Sequence, residues 1–147
     1  MFHAPLVIFL LLFIVGNSII SGIFFSFSNT IMKALAKSTS SNGRQVMNDI
    51  NRVIINPVFM LLFLGTPLLA VLLLFVDGFS NLWINLATIS HIVGSFGVTI
   101  TQNVPRNNRL EKAIDYWNTY LKEWTFWNHI RTIFAILSTI FAVIYLL

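Results

Sequence analysis

Hydrogen-bonding side chains occur within stretches of this chain that are otherwise almost entirely hydrocarbon. The densest group is WTFWNHIRT, residues 124–132, which contains Asn128, His129 and Arg131 and is followed by the apolar run IFAILSTIFAVIYLL. Amide, imidazole and guanidinium groups are costly in lipid unless they are paired or line a polar cavity. Such residues in an apolar helix indicate either contacts between helices or a site that binds a small molecule.

The composition is that of an integral membrane protein. The chain has 147 residues, of which 56% are hydrophobic and 10% are charged, whereas soluble domains carry about 25% charged residues. The length suits a single domain, residues 1–147. The chain contains no cysteine, so disulfide bonds and thiolate chemistry are excluded.

Four long apolar stretches predict an all-α protein with a bundle of four transmembrane helices. Each stretch is close to or above the ~20 residues that an α-helix needs to cross the hydrocarbon layer. Membrane β-barrels would need shorter segments of alternating hydrophobicity. The predicted helices cover residues 5–32, 54–76, 82–104 and 125–147. A short amphipathic helix at the level of the lipid headgroups is expected before the fourth helix, within residues 105–124.

The basic residues are distributed asymmetrically, and this predicts the orientation in the membrane. The two long polar loops, residues 33–53 and 105–124, carry every lysine and arginine except Arg131, and the turn at residues 77–81 carries none. The positive-inside rule places both basic loops in the cytoplasm and both termini outside. We expect the membrane to be the inner membrane of a bacterium.

Polar residues recur at helical spacing and therefore share one face of each predicted helix. On the third helix, seven of them fall within about 120° of one another at ~100° per residue: Asn85, Thr88, His91, Ser95, Thr99, Gln102 and Asn103. The fourth helix repeats the pattern. At a rise of ~1.5 Å per residue, polar groups of all four helices converge near the cytoplasmic surface. There they would form the polar rim of an apolar cavity for a small molecule.

A purely structural role is the alternative for each of these polar residues. Ser, Thr, Gly and Asn often serve only as packing contacts between membrane helices. Arg131 lies close enough to the start of its helix to extend its guanidinium to the headgroups. His91 is either a hydrogen-bonded core residue or a proton relay or base. Trp124 and Trp127 are equally well explained as part of an interfacial aromatic belt.

Several kinds of site are disfavoured by the placement of acidic residues and histidines. The four predicted helices contain no internal Asp or Glu, whereas proton-coupled transporters commonly use such a carboxylate and di-iron bundles need Glu-x-x-His. His3, His91 and His129 are expected at three different depths, so we predict no metal site. Haem held by His91 alone stays as an alternative. We expect no nucleic-acid partner.

Four segments resemble the anthrone oxygenase-like family of small four-helix membrane proteins. They are GIFFSFSNTIMKALA (22–36), NDINRVIINPVFMLLFLGTPLLA (48–70), VTITQNVPRNNRLE (98–111) and W-x-x-Y-x-x-x-WTFWNHIRT (117–132). Together they are spread over residues 22–132, which is most of the chain. The resemblance implies an oxygenase or related oxidoreductase that uses molecular oxygen without a cofactor. Its expected substrate is a small aromatic molecule of the anthrone or quinone type.

The family pattern matches Asn56, Asn103, Trp127, Asn128 and Arg131 as a group without assigning their roles, and the implied chemistry leads to hypotheses for ten residues. A base removes the acidic C–H proton of an anthrone, and the electron-rich anion then gives an electron to oxygen. The expected catalytic residues are His129 as the base, His91 as an alternative base, and Asn128 and Arg131 as donors to the anionic oxygen. The expected substrate-binding residues are Asn56, Asn103, Trp124, Trp127, Phe59 and Phe63.

A membrane protein without catalytic activity is the main alternative function. Such a protein would bind a lipid, a quinone or a partner helix, and a haem-binding protein is a less favoured variant. Membrane lipid and a second copy of the chain are further partners that we consider. The residues do not specify the substrate, the oligomeric state or the route by which a ligand reaches the cavity.

Overall fold

A computed structural model describes residues 4–147, and in this part of the chain helices are the only regular secondary structure. Four helical segments are long and apolar enough to cross a membrane. We call them span 1 (Pro5–Leu35), span 2 (Pro57–Asp77), span 3 (Leu82–Lys112) and span 4 (Ile114–Leu146). The predicted all-α fold with four transmembrane helices is confirmed, and these helices indicate an integral membrane protein. His3 lies outside the described residues.

The spans are assembled from shorter elements. Span 1 joins α1 (Ala4–Ser26), a π-helical turn (Phe27–Ile31) and α2 (Met32–Leu35), and the following segment forms α3 (Ser40–Val53). Span 2 is α4 (Pro57–Asp77). Span 3 joins α5 (Leu82–Ile89), two π-helical segments (Ser90–Gly97 and Thr99–Asn103) and α6 (Val104–Lys112). Span 4 joins a 3-10 turn (Ile114–Tyr116) to α7 (Trp117–Leu146).

The segment before the fourth helix is organised differently from the prediction. Residues 105–124 do not form one interfacial helix, because they extend span 3 to Lys112 and begin span 4 at Ile114. Between the two, Ala113 has extended backbone with φ −106° and ψ 114°. Both spans are therefore longer at this end than the sequence predicts.

An amphipathic helix does lie beside the bundle, within the segment 33–53 that is predicted to be a polar loop. This helix, α3, begins after Thr39, whose side chain accepts a hydrogen bond of 3.3 Å from the amide of Asn42. Gly43 and Met47 are buried, whereas most of the polar residues of α3 are exposed or half-buried. The buried face turns α3 onto the bundle.

Capping residues determine where span 2 begins and ends. Asn56 accepts a hydrogen bond of 3.0 Å from the amide of Phe59, and Pro57 occupies the first helical position, where its missing N–H is tolerated. At the other end Gly78 adopts a left-handed conformation with φ 63°, which ends the helix. Asn81 then caps span 3 by accepting hydrogen bonds from Trp83 and Ile84.

The core has an apolar cluster at each end of the bundle and polar side chains between them. We call the end that carries α3 and the 112–114 connection the basic end. Its cluster includes Phe27, Met47, Leu110, Trp117 and Tyr120. The cluster at the opposite end includes Leu10, Phe13, Leu73, Ile84 and Ala142. This arrangement places the buried polar residues where the four spans pack together.

Candidate functional site

A cavity of about 370 Å³ lies at the basic end, enclosed by α3 and by residues of all four spans. Most of its wall is apolar or aromatic, and its volume lies in the range of small-molecule sites. The residues that define its shape and polarity are Phe24, Phe27, Met47, Asn51, Phe59, Phe63, Thr99, Asn107, Glu111, Trp124 and Arg131.

The cavity is elongated and reaches the protein surface. On span 3 its lining extends from Thr99 to Glu111, a distance of about 18 Å along a helix at ~1.5 Å per residue. Three apolar lining residues are exposed, namely Ile55, Ile100 and Val104. A hydrophobic molecule therefore meets an apolar rim where the cavity opens.

Arg131 places a positive charge in the wall of this cavity. Its side chain is only 6% exposed, and the guanidinium carbon lies 3.8 Å from the ring centroid of Phe24 and 5.0 Å from that of Trp124. Among residues 4–147, none of the ion pairs that the structure contains involves Arg131. The guanidinium therefore lies inside the bundle, and no carboxylate of residues 4–147 forms an ion pair with it.

Neutral groups hold the guanidinium in place instead. Nε and Nη2 of Arg131 donate to Oδ1 of Asn128 at 2.9 and 2.7 Å, and Nη1 donates to Oγ1 of Thr99 at 3.1 Å. These bonds orient the side chain but leave its charge uncompensated. Because a guanidinium has five N–H donors, three hydrogen bonds also leave donors for a ligand.

Asn128 is itself fixed by span 1. Its Nδ2 donates to the carbonyl of Phe24 at 2.9 Å and to Oγ of Ser28 at 2.7 Å. Ser28 lies in the π-helical turn Phe27–Ile31, and such turns often occur at functional sites. Asn128 therefore has its amide nitrogen directed to span 1 and its amide oxygen directed to Arg131.

Two further donors in the cavity wall have no partner among the described residues. Nδ2 of Asn51 and Nε1 of Trp124 are buried without a hydrogen bond, and both residues line the cavity. Both nitrogens have almost no accessible surface, so they do not face the open cavity. The uncompensated cation of Arg131 suits a ligand that supplies an anionic oxygen.

The comparison with known families agrees with this geometry. A model of the anthrone oxygenase family matches residues 54–141, which is more than half of the chain. The chain belongs to the anthrone oxygenase family. No curated protein and no solved structure matches it. The match includes Phe59, Phe63, Thr99, Trp124 and Arg131, so most of the cavity wall lies within the family region.

Five of the ten predicted site residues lie at the cavity of this anthrone oxygenase family member. Phe59, Phe63, Trp124 and Arg131 line it, and Asn128 holds Arg131. The rings of Phe59 and Phe63 are stacked, with centroids 5.6 Å apart and an interplanar angle of 11°. They form an aromatic part of the cavity wall.

Three predicted substrate-binding residues do not line the cavity. Asn56 is exposed and caps span 2. Asn103 is buried behind the wall, where its Nδ2 donates to the carbonyl of Trp124 at 3.2 Å. Trp127 is half-buried on another face of span 4, with its ring 5.3 Å from that of Phe126 and 5.9 Å from the guanidinium of Arg106. Their positions give them structural contacts in place of the expected ligand contacts.

His129 does not face the cavity and is exposed. Asn128 and Arg131 turn inward, and at ~100° per residue the intervening His129 must point away from their shared face. The expected assignment of His129 as the base therefore has no geometric support. Periodicity alone already separates His129 from the polar face of the fourth helix.

His91, the alternative base, is buried in the middle of the bundle and also lies outside the cavity wall. Its Nδ1 lies 2.8 Å from Oδ1 of Asn17, and Nδ2 of Asn17 donates to the carbonyl of Ala135 and to Oγ1 of Thr139, both at 2.9 Å. Since Oδ1 can only accept, Nδ1 of His91 carries the proton. His91 is thus a hydrogen-bonded core residue that joins spans 1 and 3.

The described residues 4–147 contain no group of three or more His, Asp or Glu side chains arranged to hold a metal ion. The carboxylate that lines the cavity, Glu111, lies at its outer end and forms an ion pair of 2.9 Å with Arg52. This pair, outside the span cores, raises the pKa of Arg52 through the hydrogen bond and charge of Glu111.

Several cavity residues were not among the predicted site residues. No sequence pattern distinguishes Phe24 and Met47 as cavity residues, because apolar residues are common in every helix of this chain. A sequence pattern does predict the helix α3, which carries Asn51. Thr39 is an N-cap residue, and the following residues Gly43, Met47 and Ile50 recur at helical spacing. Thr99 belongs to the polar stripe that the sequence analysis identifies on span 3.

Proposed function

We propose that the protein is a membrane oxidoreductase that oxidises a flat aromatic molecule of the anthrone or quinone type with molecular oxygen. The cavity at the basic end is its active site. The observation that supports this most directly is the buried guanidinium of Arg131, which has no carboxylate partner within residues 4–147 and lies against aromatic rings. In a member of the anthrone oxygenase family, an anionic aromatic ligand would complete this arrangement.

The charge of Arg131 favours the ionised form of such a ligand. An opposite charge within a few ångströms lowers the pKa of an acid, and more strongly where water is excluded. An anthrone bound with its oxygen at Arg131 would therefore lose its acidic proton more readily. No histidine of the described chain lines the cavity, so the proton leaves to water through the open end. The rings of Phe59 and Phe63 then form the wall beside the aromatic ligand.

The reaction needs no other oxidant than dioxygen. The bound anion transfers an electron to oxygen, and the resulting substrate radical and superoxide combine to form a peroxide at the reacting carbon. Cleavage of the O–O bond leaves one oxygen as the new carbonyl of the quinone. The other oxygen leaves as water, together with the two hydrogens that the carbon loses. The cavity contributes by holding the anion and by excluding bulk water.

Turnover of anthrone tests this function. Purified protein in mild detergent should consume oxygen and form anthraquinone, measured with an oxygen electrode and by absorbance. Arg131→Met should lower kcat/KM by about 10²-fold or more, the loss typical of removing a donor to a developing anion. Lys122→Met, which removes a charge from an exposed position of the same helix, is the matched control. Equal activity of Arg131→Met and the wild-type protein would refute this assignment.

A binding protein without turnover is the second candidate, and the exposed apolar rim at Ile55, Ile100 and Val104 favours it. An acidic lipid could insert its chain through this rim and place its anionic group near Arg131. Under this function, oxygen consumption stays at background with anthrone. Native mass spectrometry would then show a lipid that is retained by the wild-type protein and lost from Arg131→Met.

A further inference from the structure

Four aromatic rings on span 4 form a continuous ladder that begins at the cavity. The ring centroids of Trp124 and Tyr120 are 5.9 Å apart with an interplanar angle of 27°, and those of Tyr120 and Trp117 are 5.9 Å apart at 18°. Tyr116 meets Tyr120 edge-on at 6.1 Å. All four side chains are at most 4% exposed. Tyr120 is therefore in contact with each of the other three rings, and all four are shielded from water.

The ladder has an inner and an outer end. Trp124 lines the cavity and lies 5.0 Å from the guanidinium of Arg131. Tyr116 lies two turns of helix away, and its hydroxyl donates to Oε2 of Glu123 at 2.8 Å. The side chain of Glu123 is 42% exposed, so the outer end is in contact with the surface. The ladder therefore connects the candidate active site to the basic end of the protein.

Of the four rings, Tyr116 at the outer end is the one whose N–H or O–H group is hydrogen-bonded to a carboxylate. Nε1 of Trp124 has no hydrogen-bond partner within residues 4–147, so an oxidised Trp124 has no group there to accept its proton. The hydroxyl of Tyr120 donates to Oδ1 of Asn107 at 2.8 Å, and an amide oxygen is a very weak base. The hydroxyl of Tyr116 donates to a carboxylate, which also accepts from Arg106 at 3.1 Å.

The residue types of the ladder are those that lose an electron most readily. Phenylalanine would stack equally well at these positions, and the chain contains 14 phenylalanines. The four positions of the ladder nevertheless hold only tryptophan and tyrosine. Stacking alone therefore does not explain why tyrosine occupies two of these positions, and the hydrogen bonds of Tyr120 to Asn107 and of Tyr116 to Glu123 are contacts that phenylalanine could not make.

We propose that this ladder conducts an oxidising equivalent from the cavity to Tyr116. A substrate peroxyl radical, formed when the substrate radical combines with dioxygen in the cavity, takes one electron from Trp124 and one proton from water at the open end, and so becomes a hydroperoxide. Trp124 regains an electron from Tyr116 through the intervening ring of Tyr120, which stays neutral. As Tyr116 loses its electron, its O–H bond breaks and Glu123 receives the proton. The neutral Tyr116 radical remains near the surface, where a soluble reductant can restore it.

The guanidinium of Arg109 explains why electron and proton must leave Tyr116 together. It lies 4.2 Å from the ring centroid of Tyr116, and this cation disfavours a second positive charge on the ring. The neutral radical that forms after proton transfer carries no such penalty. This role rests on the proposed function for the source of the oxidant, and it protects Trp124 and Arg131 from damage when a radical escapes turnover.

A photo-oxidant that fits the cavity tests the ladder without any turnover. Anthraquinone-2-carboxylate is flat and anionic, and its illuminated triplet state removes an electron from tryptophan or tyrosine. After illumination and freezing, electron paramagnetic resonance should show a tyrosyl radical in the wild-type protein. Tyr116→Phe should lose this signal, and Trp124→Phe should lose it as well. Glu123→Gln should lose most of it because the glutamine cannot accept the proton.

The tyrosine content makes the assignment of the radical straightforward. The chain has three tyrosines, and Tyr145, at the opposite end of span 4, provides a matched control as Tyr145→Phe. The proposal is overturned if the wild-type protein gives no tyrosyl signal or if Tyr116→Phe gives the same signal as the wild-type protein. A Tyr116 radical in a protein that fails to oxidise anthrone would support the ladder and reject the proposed function, so the two failures are distinguishable.

Discussion

Oδ1 of Asn17 on span 1 lies 2.8 Å from Nδ1 of His91 on span 3, at the centre of the bundle. The same asparagine donates to the carbonyl of Ala135 and to Thr139 on span 4. One amide therefore satisfies groups on two neighbouring spans. In a medium without water, each of these groups would otherwise remain unpaired at a cost of several kcal/mol.

Replacing Asn17 tests the importance of this contact. Asn17→Leu leaves Nδ1 of His91 buried without an acceptor, so we expect the free energy of unfolding to fall by about 1–3 kcal/mol. Denaturation in mixed detergent micelles measures the loss. In a double-mutant cycle with His91→Phe, the two changes should show a coupling of about 0.5–3 kcal/mol. Strict additivity would mean that the hydrogen bond contributes no stability.

The stability of Asn128 variants should depend on whether the buried, uncompensated charge of Arg131 is present. Asn128→Leu removes the acceptor of two bonds from Arg131 and should lower the stability by about 1.5–3 kcal/mol. The double variant Asn128→Leu/Arg131→Met removes the cation as well, so it should unfold at a higher denaturant fraction than Asn128→Leu alone. A double variant that is less stable than Asn128→Leu would contradict the proposed origin of the loss.

Gly94 permits the close approach of spans 3 and 4. A Cβ atom at this position would overlap the ring of Phe134, so Gly94→Ala should cost about 1–3 kcal/mol through overpacking. Phe134→Ala should restore much of this loss when the two changes are combined. Gly65→Ala is the matched control on span 2, because its Cβ would meet no atom within 4 Å. Thermal unfolding followed by circular dichroism distinguishes the variants.

His129 provides a direct test of the site geometry. Its side chain is exposed, and it lies on a different face of span 4 from Asn128 and Arg131. His129→Ala should therefore leave the kcat/KM for anthrone unchanged within experimental error. A large loss would restore His129 as the base and would require that it reach the cavity from another conformation.

The orientation in the membrane stays a prediction from the positive-inside rule, and the sequence makes it easy to test. The chain contains no cysteine, so each introduced cysteine is unique. Ser80→Cys lies in the turn between spans 2 and 3, and Ser41→Cys lies at the start of α3. An impermeant maleimide added to intact cells should label Ser80→Cys, and should label Ser41→Cys only after lysis. The reverse pattern would invert the orientation.

The polar stripe on span 3 shows how far a sequence pattern can predict tertiary structure. Thr88, His91, Ser95, Thr99 and Asn103 recur at helical spacing, and all five are buried. Periodicity predicts which face turns inward because lipid cannot satisfy polar groups. Periodicity does not predict which groups each side chain contacts, since Thr99 lines the cavity and His91 does not.

What the sequence alone determined was the number of spans, their apolar character and the inward direction of their polar faces. These properties depend on local length, hydrophobicity and spacing, which the thickness and low polarity of a membrane constrain strongly. The tertiary structure decided that no carboxylate within residues 4–147 pairs with Arg131, that α3 closes the cavity, and that His91 lies outside it. Those features depend on distances between residues of different helices, and no local periodicity encodes the relative rotation and depth at which the helices pack.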